Sequence, residues 1–153
     1  MTRILVLNGP NLGSLGTREP KLYGTATLSD IESRVRERAV QLGVILRLAQ
    51  SNHEGKLIDI LEAERARADA CIINPGGLSH TSIALADALR AFGRPVIEVH
   101  ITNVFAREPE RRVLVTAAAC AAVISGAGVA GYVLALEAIL GMLNGEQTME
   151  NQE

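Results

Sequence analysis

Apolar residues in this chain fall into two alternating kinds of segment. Short continuous runs rich in Val, Ile, Leu and Ala occur at residues 3–7, 44–49, 70–73, 95–99 and 120–125. Such runs predict strands covered on both faces, not the strict alternation of a half-exposed sheet. Between them the apolar positions repeat at steps of three and four. Leu28, Ile31, Val35, Ala39 and Leu42 draw one stripe, with Thr27 and Asp30 spaced as a capping box and Gly43 placed for a left-handed C-cap. Leu57, Ile58, Leu61 and Ala68 predict a second helix. Residues 83–92 predict a third, ended by Gly93, and residues 132–143 a last one before a polar tail.

Five strands alternating with helices imply right-handed crossovers and a parallel sheet. The expected fold class is α/β: a flavodoxin-like, doubly wound, five-stranded parallel sheet in the order 2-1-3-4-5, with helices on both faces. A chain of 153 residues with 48% apolar composition suffices for one such core. A single domain is therefore expected over residues 1–145, followed by a polar tail over residues 146–153. In these sheets ligands bind beyond the carboxyl ends of the strands, at the switch point between strands 1 and 3. Asn8 and Asn11 follow strand 1, Asn74-Pro-Gly-Gly77 follows strand 3, and Glu98-Val-His100 ends strand 4, so three polar clusters converge on that rim.

The connection over residues 8–24 is too long and too polar to be an ordinary link, since connections inside a domain usually take a few residues. Among its glycines stand two asparagines, Arg18 and Tyr23. A phenol is a poor base at neutral pH unless a nearby cation favours the phenolate, and Arg18 is such a cation. Glu98 and His100, two apart on a strand, leave the same face. The carboxylate would hold the imidazole in one tautomer and favour its charged form, as a general acid requires. Ser79-His80-Thr81-Ser82 opens the third helix, where free amides favour anions and hydroxyls cap or bind. Arg107, Arg111 and Arg112 follow strand 4 together with Asn103 and form a basic wall.

A net charge of -2 and a pI near 5.9 give no basic footprint for nucleic acid and no polybasic membrane patch, so a small-molecule partner is expected. Cys71 and Cys120 sit in apolar runs and read as buried free thiols. Residues 113–136 carry no charge, but alanine and the clustered Gly126, Gly128 and Gly131 supply little insertion energy. A buried strand, a glycine turn and a buried helix are expected there, not a membrane span. The first apolar run is too short for a secretory signal, which points to a cytoplasmic protein. Gly126-Ala-Gly-Val-Ala-Gly131 spells G-x-G-x-x-G outside the first βαβ unit and with no following acidic strand end, so tight backbone packing is expected, not dinucleotide binding. His53, His80 and His100 show no metal-ligand spacing.

Six motifs in order complete the picture: Asn8-Gly-Pro-Asn-Leu-Gly13, Arg18-Glu-Pro-x-x-Tyr23-Gly, Gln50-Ser-Asn-x-Glu-Gly55, Asn74-Pro-Gly-Gly-Leu-Ser-His-Thr-Ser82, Glu98-Val-His-Ile101 and Gly131-Tyr-x-Leu-Ala-Leu136. Over nearly its whole length the sequence resembles the type II 3-dehydroquinate dehydratases. The resemblance implies dehydration of 3-dehydroquinate to 3-dehydroshikimate, in aromatic biosynthesis or quinate breakdown, with no cofactor, metal or lysine imine. It implies Tyr23 as the base, kept ionisable by Arg18 with Arg107 in support, and a water near Asn11 that stabilises an enolate. It further implies His100, oriented by Glu98, as the acid. Asn74 and the backbone amides of Ile101 and Thr102 would hold the substrate carboxylate, with His80 and Arg111 on its ring hydroxyls. Asp87 would reach a neighbouring subunit's site in a homododecamer, a tetramer of trimers. The first loop becomes a lid that carries the base.

Three departures from the family's usual pattern stand out. Thr102 replaces a common serine, Phe105 a polar residue, and residues 113–119 are apolar where serines and a tyrosine are usual. The last is expected to affect packing and stability, not chemistry. Two other readings compete. A flavodoxin-like signalling or flavin-binding module would need an acidic cluster after strand 1 or aromatic faces, and the chain has asparagines there and no tryptophan. A catalytically dead homologue is opposed by the presence of Tyr23, Arg18, Glu98 and His100 together.

Overall fold

Strand β1 (Arg3–Asn8) takes the interior of a five-stranded sheet because its continuous Ile-Leu-Val-Leu run can be buried on both faces. The computed structural model describes residues 1–150, with side chains described through residue 145. β2 (Ile45–Gln50), β3 (Ala70–Asn74), β4 (Val96–His100) and β5 (Ala122–Ser125) join β1, all parallel, in the order β2-β1-β3-β4-β5. The expected order is the observed one. β3 and β4 are buried along their length and β1 from Ile4 onward, whereas the edge strands β2 and β5 are partly open.

Parity along the strands divides the core. Ile4, Val6, Ile72, Ile97 and Val99 face α2 (Leu28–Leu42) and α5 (Ala130–Glu150). Leu5, Leu7, Cys71, Ile73 and Val96 face α3 (Glu54–Glu64) and α4 (Ile83–Phe92). The same two-residue period carries Asn8 and Asn74 toward the α2/α5 layer and Glu98 and His100 toward the α3/α4 layer. α2 begins in the expected capping box, Thr27 accepting from the Asp30 amide at 3.1 Å and Asp30 accepting from the Thr27 amide at 2.9 Å, and it ends at Gly43.

Several boundaries differ from the sequence pattern. The second helix stops at Glu64, before Ala68, because reciprocal bonds between Arg3 and Asp69 draw the chain into the sheet. The apolar run at residues 113–136 begins as an open loop and a 3-10 turn, Thr116–Ala119, and its strand starts only at Ala122. α5 continues through Glu150, so residues 146–150 of the expected polar tail are helical, and residues 151–153 lie outside the described residues. The rejected G-x-G-x-x-G segment is a packing device: Gly126 has φ +89°, and a Cβ there would stand 2.9 Å from the Asn103 Cβ. Among the described residues no helix is long and apolar enough to cross a membrane.

Candidate active site

The carboxyl ends of adjacent strands form a polar row. Sheet register sets Gln50 and Asn74 on either side of Asn8. The loops that leave this rim are pressed backbone to backbone. The Gly9 amide donates to Asn74 O at 2.8 Å, and a Cβ on Gly9 would stand 2.5 Å from Pro75 O. Asn74 spans the gap: its Oδ1 accepts from the Gly76 amide at 3.1 Å and its Nδ2 donates to Tyr132 Oη at 2.9 Å. Tyr132 Oη in turn donates to Asn8 Oδ1 at 2.7 Å. All three side chains are buried, and burial pushes the Tyr132 phenol above its ordinary range, partly opposed by the Asn74 bond. An amide locked at two of its positions keeps its second N–H for a ligand.

The long first connection folds as a 3-10 turn at Leu12–Ser14 and one helical turn, α1 (Pro20–Tyr23). Asn11 is left-handed, φ 70°, a conformation asparagine tolerates better than most residues. Its amide donates to Asn52 Oδ1 at 3.0 Å, and Gln50 Nε2 ties that same oxygen, at 3.1 Å, to Gly9 O, at 3.2 Å. The Gln50-x-Asn52 motif therefore acts as a brace for the loop.

A cleft opens above this rim. It is lined by Asn11, Arg18 and Tyr23 from the first loop, by Asn74 and His80 from the β3 side, and by His100, Ile101, Thr102, Arg107 and Arg111 from the β4 side. Sequence reasoning named every one of these. Three arginines and no carboxylate, among the described residues, line the cleft, which suits it to an anion.

Tyr23 is held by two cations in different ways. Arg107 Nη1 donates to its Oη at 2.8 Å, while the Arg18 guanidinium lies over the ring face, 5.0 Å from the centroid. The arginine that touches the phenolic oxygen is thus Arg107, expected only in support. Arg107 also approaches Thr102 Oγ1 and Glu108 Oε1 at 3.5 Å, and Arg111 Nε donates to Glu108 Oε1 at 3.1 Å. Arg112 turns back onto Arg107 O and is a brace.

On the other wall, His100 Nε2 donates to Glu98 Oε2 at 2.8 Å, with Glu98 fully buried and His100 nearly so. The tautomer is fixed by that bond, and Nδ1 is the nitrogen left for a reaction. The other Glu98 oxygen accepts from Thr116 Oγ1. The His80 ring stacks against that of His100 with centroids 6.4 Å apart, and His80 Nδ1 donates to Val113 O at 2.8 Å. Of the polar run beside His80, Ser79 bonds Gly76 O and Ser82 caps α4 through the Leu85 amide, so only His80 reaches the cleft. Asp87 lies on the exposed face of α4, paired with Arg90 at 3.5 Å, and does not line this cleft. Phe105 is exposed, its amide capped by Asn103.

Asn8, Tyr132 and Thr116 are the supporting residues that sequence reasoning left without a role. Tyr132 carried a signal, since a tyrosine in an otherwise apolar helix must find a partner for its hydroxyl. Thr116 carried none beyond its polarity in an alanine run.

Fold and site together define a doubly wound α/β enzyme whose cationic cleft is lined by an arginine-bound phenol and a carboxylate-bonded imidazole. Comparison with known proteins makes this specific. The model of the family described as "Dehydroquinase class II" matches residues 2–140, and the chain belongs to that family. The chain is 52% identical over 139 residues to the 3-dehydroquinate dehydratase of Roseiflexus castenholzii, covering 91% of this chain and 88% of that one. It is 52% identical over 145 residues to catabolic 3-dehydroquinase 2 of Aspergillus flavus, covering 95% and 97%. The solved type II dehydroquinase of Butyrivibrio crossotus superposes with TM-score 0.89 at 38% identity, over 90% of this chain and 97% of that one.

Proposed function

We propose that this chain is a 3-dehydroquinate dehydratase, a hydro-lyase that removes water from 3-dehydroquinate to give 3-dehydroshikimate through an enolate, with Tyr23 as base and His100 as acid. The observation that carries the reading is the pairing of a cation-bound phenol with a carboxylate-backed imidazole across one cleft.

Tyr23, with Arg107 on its oxygen and Arg18 over its ring, takes the proton alpha to the ketone as the phenolate. The C–H electron pair moves into the enolate, whose charge is met by a water near Asn11. The enolate then reforms the ketone and expels the beta hydroxyl, which His100 protonates through Nδ1 so that it departs as water. Glu98 stabilises the charged imidazole until that proton is delivered. Acid and base each supply about 10² to 10⁴ in rate. Asn74 and the amides of Ile101 and Thr102 hold the substrate carboxylate, and His80 and Arg111 its ring hydroxyls. The exposed Asp87 reaches the cleft of a neighbouring subunit in a homododecamer. The two free thiols, Cys71 and Cys120, agree with a cytoplasmic location.

The test is an ultraviolet assay with 3-dehydroquinate that follows the conjugated enone. Absence of product from the folded protein overturns the reading. Tyr23→Phe and His100→Ala are expected to lose turnover by two orders of magnitude or more while the fold is kept, and near-normal turnover in either removes that residue from its role.

A further inference from the structure

The apolar segment at residues 113–119 lies directly behind the acid wall of the cleft. Val113 O accepts from His80 Nδ1 at 2.8 Å, and the Val115 amide donates to Ser79 O at 2.7 Å. Thr116 follows, fully buried, in the 3-10 turn that begins there. Its backbone is pinned as well, since Cys120 Sγ donates to Thr116 O at 3.3 Å. In a stretch of alanine and valine, Thr116 supplies a hydroxyl, and that hydroxyl donates to Glu98 Oε1.

We propose that Thr116 is a positioning residue for the reaction: by occupying Glu98 Oε1 it holds the carboxylate in the one orientation that presents Oε2 to His100 Nε2. A buried ionised carboxylate is stable only when both oxygens are hydrogen-bonded. Glu98 is 0% exposed, so solvent does not serve either oxygen, and protein groups serve both. The terminal torsion of a glutamate is broad and roughly two-fold, which leaves the carboxylate free to turn unless both ends are held. With Oε1 unpaired, the group gains by rotating toward another donor, and that change removes the fixed acceptor that selects the His100 tautomer. Thr116 is β-branched, so its χ1 is stiff and its hydroxyl direction is set by the turn.

The inference rests on His100 as the acid of the proposed reaction, and its test has one arm that needs no substrate. Thr116→Val keeps the shape and removes the donor, whereas Thr116→Ser keeps the donor. In the full-length protein, 15N-edited NMR reads the His100 Nε2–H. Thr116→Val is expected to shift or lose that low-field signal, and Thr116→Ser to retain it. In the enone assay Thr116→Val is expected to lower kcat about tenfold, the scale of one charge-assisted hydrogen bond, with KM changed less than about twofold. Thr116→Ser is expected to recover most of that loss. An unmoved Nε2–H signal in Thr116→Val overturns the proposal whatever the rate does. So does a loss of kcat that serine fails to rescue, which assigns the effect to the methyl group. Should valine prevent folding, Thr116→Ala replaces it with the same expectations. If the wild-type protein gives no product, the functional reading falls while the NMR arm still decides what Thr116 does to Glu98.

Discussion

Replacing Tyr132 by Phe removes one oxygen from beneath the cleft and leaves the ring in the core. No cavity of consequence forms, so the cost is almost purely one of hydrogen bonding. The hydroxyl donates to Asn8 Oδ1 at 2.7 Å and accepts from Asn74 Nδ2 at 2.9 Å, and neither amide is exposed by more than 4%. In the variant both partners keep a buried polar atom with nothing to bond, each worth about 1–3 kcal/mol. Asn8 is the less able to compensate, because its Nδ2 already lacks a partner among the described residues. Against this stands the desolvation of the phenol itself, whose upward-shifted ionisation shows how dry the site is. The balance is a loss of about 2–4 kcal/mol, against a typical total of about 5–15 kcal/mol. For a domain of this size that lowers Tm by about 4–16 °C. Urea unfolding followed by circular dichroism measures the loss, and steady-state kinetics should show KM rising more than kcat falls, since Asn74 loses its anchor. A loss below about 0.5 kcal/mol with unchanged KM would refute the idea that this oxygen frames the site.

Three further outcomes follow from the geometry. Arg107→Gln deletes the charged donor on Tyr23 Oη and should lower kcat by about 10- to 100-fold, read in the enone assay; an unchanged rate would leave Arg18 as the sole cation that matters. Gly9→Ala places a Cβ 2.5 Å from Pro75 O and 2.7 Å from its carbonyl carbon, so the β1 and β3 loops must part; urea unfolding should show at least about 1–3 kcal/mol of destabilisation, with reduced turnover. Burial pushes the Cys71 thiol and the Tyr132 phenol up and Cys120 up to about 12, so the native chain holds these protons where the unfolded chain releases them. Their contribution is therefore intact below about pH 8.5 and falls as pH rises beyond it, by up to about 1.4 kcal/mol per pH unit for each fully buried group. Urea midpoints at pH 7 and pH 10.5 measure the fall, and equal midpoints would contradict it.

How legible the molecule was in its sequence depended on how local the determining physics is. The capping box at Thr27 and the C-cap at Gly43 bounded α2 correctly because both act within a few residues. The residues lining the cleft were legible for a related reason. A parallel sheet fixes where strand ends lie, and polar residues at the ends of apolar runs have few other uses. The loop and 3-10 turn that open the apolar run at residues 113–136 were not legible, because apolar composition alone does not distinguish a strand from a turn. What decided it was a long-range need, the second oxygen of Glu98, which draws Thr116 inward from 18 positions away. The relative weight of Arg18 and Arg107 was equally invisible, since Tyr23 and Arg107 are 84 residues apart and meet only through loop packing.

The proposed acid, His100, and the proposed base, Tyr23, are fixed by different parts of the structure, and this has consequences for how the site fails. His100 sits on the last residue of β4, with its Glu98 partner two residues back in the same strand, so its position is set by the sheet. Tyr23 ends a four-residue helical turn, and its phenol is tied by Arg107, itself on a loop after β4. The proposed acid is therefore placed by the sheet, while the proposed base depends on loop packing against the core and on its contacts with Arg107 and Arg18. Substitutions that loosen the first loop, at Asn52 or Gln50 where its brace begins, should impair proton abstraction and leave the His100 geometry untouched. A deuterium isotope effect on the abstracted proton separates the cases. It should grow in Asn52→Ala as the first step becomes slower, and stay at the wild-type value or shrink in Thr116→Val, where the loss falls on the second step.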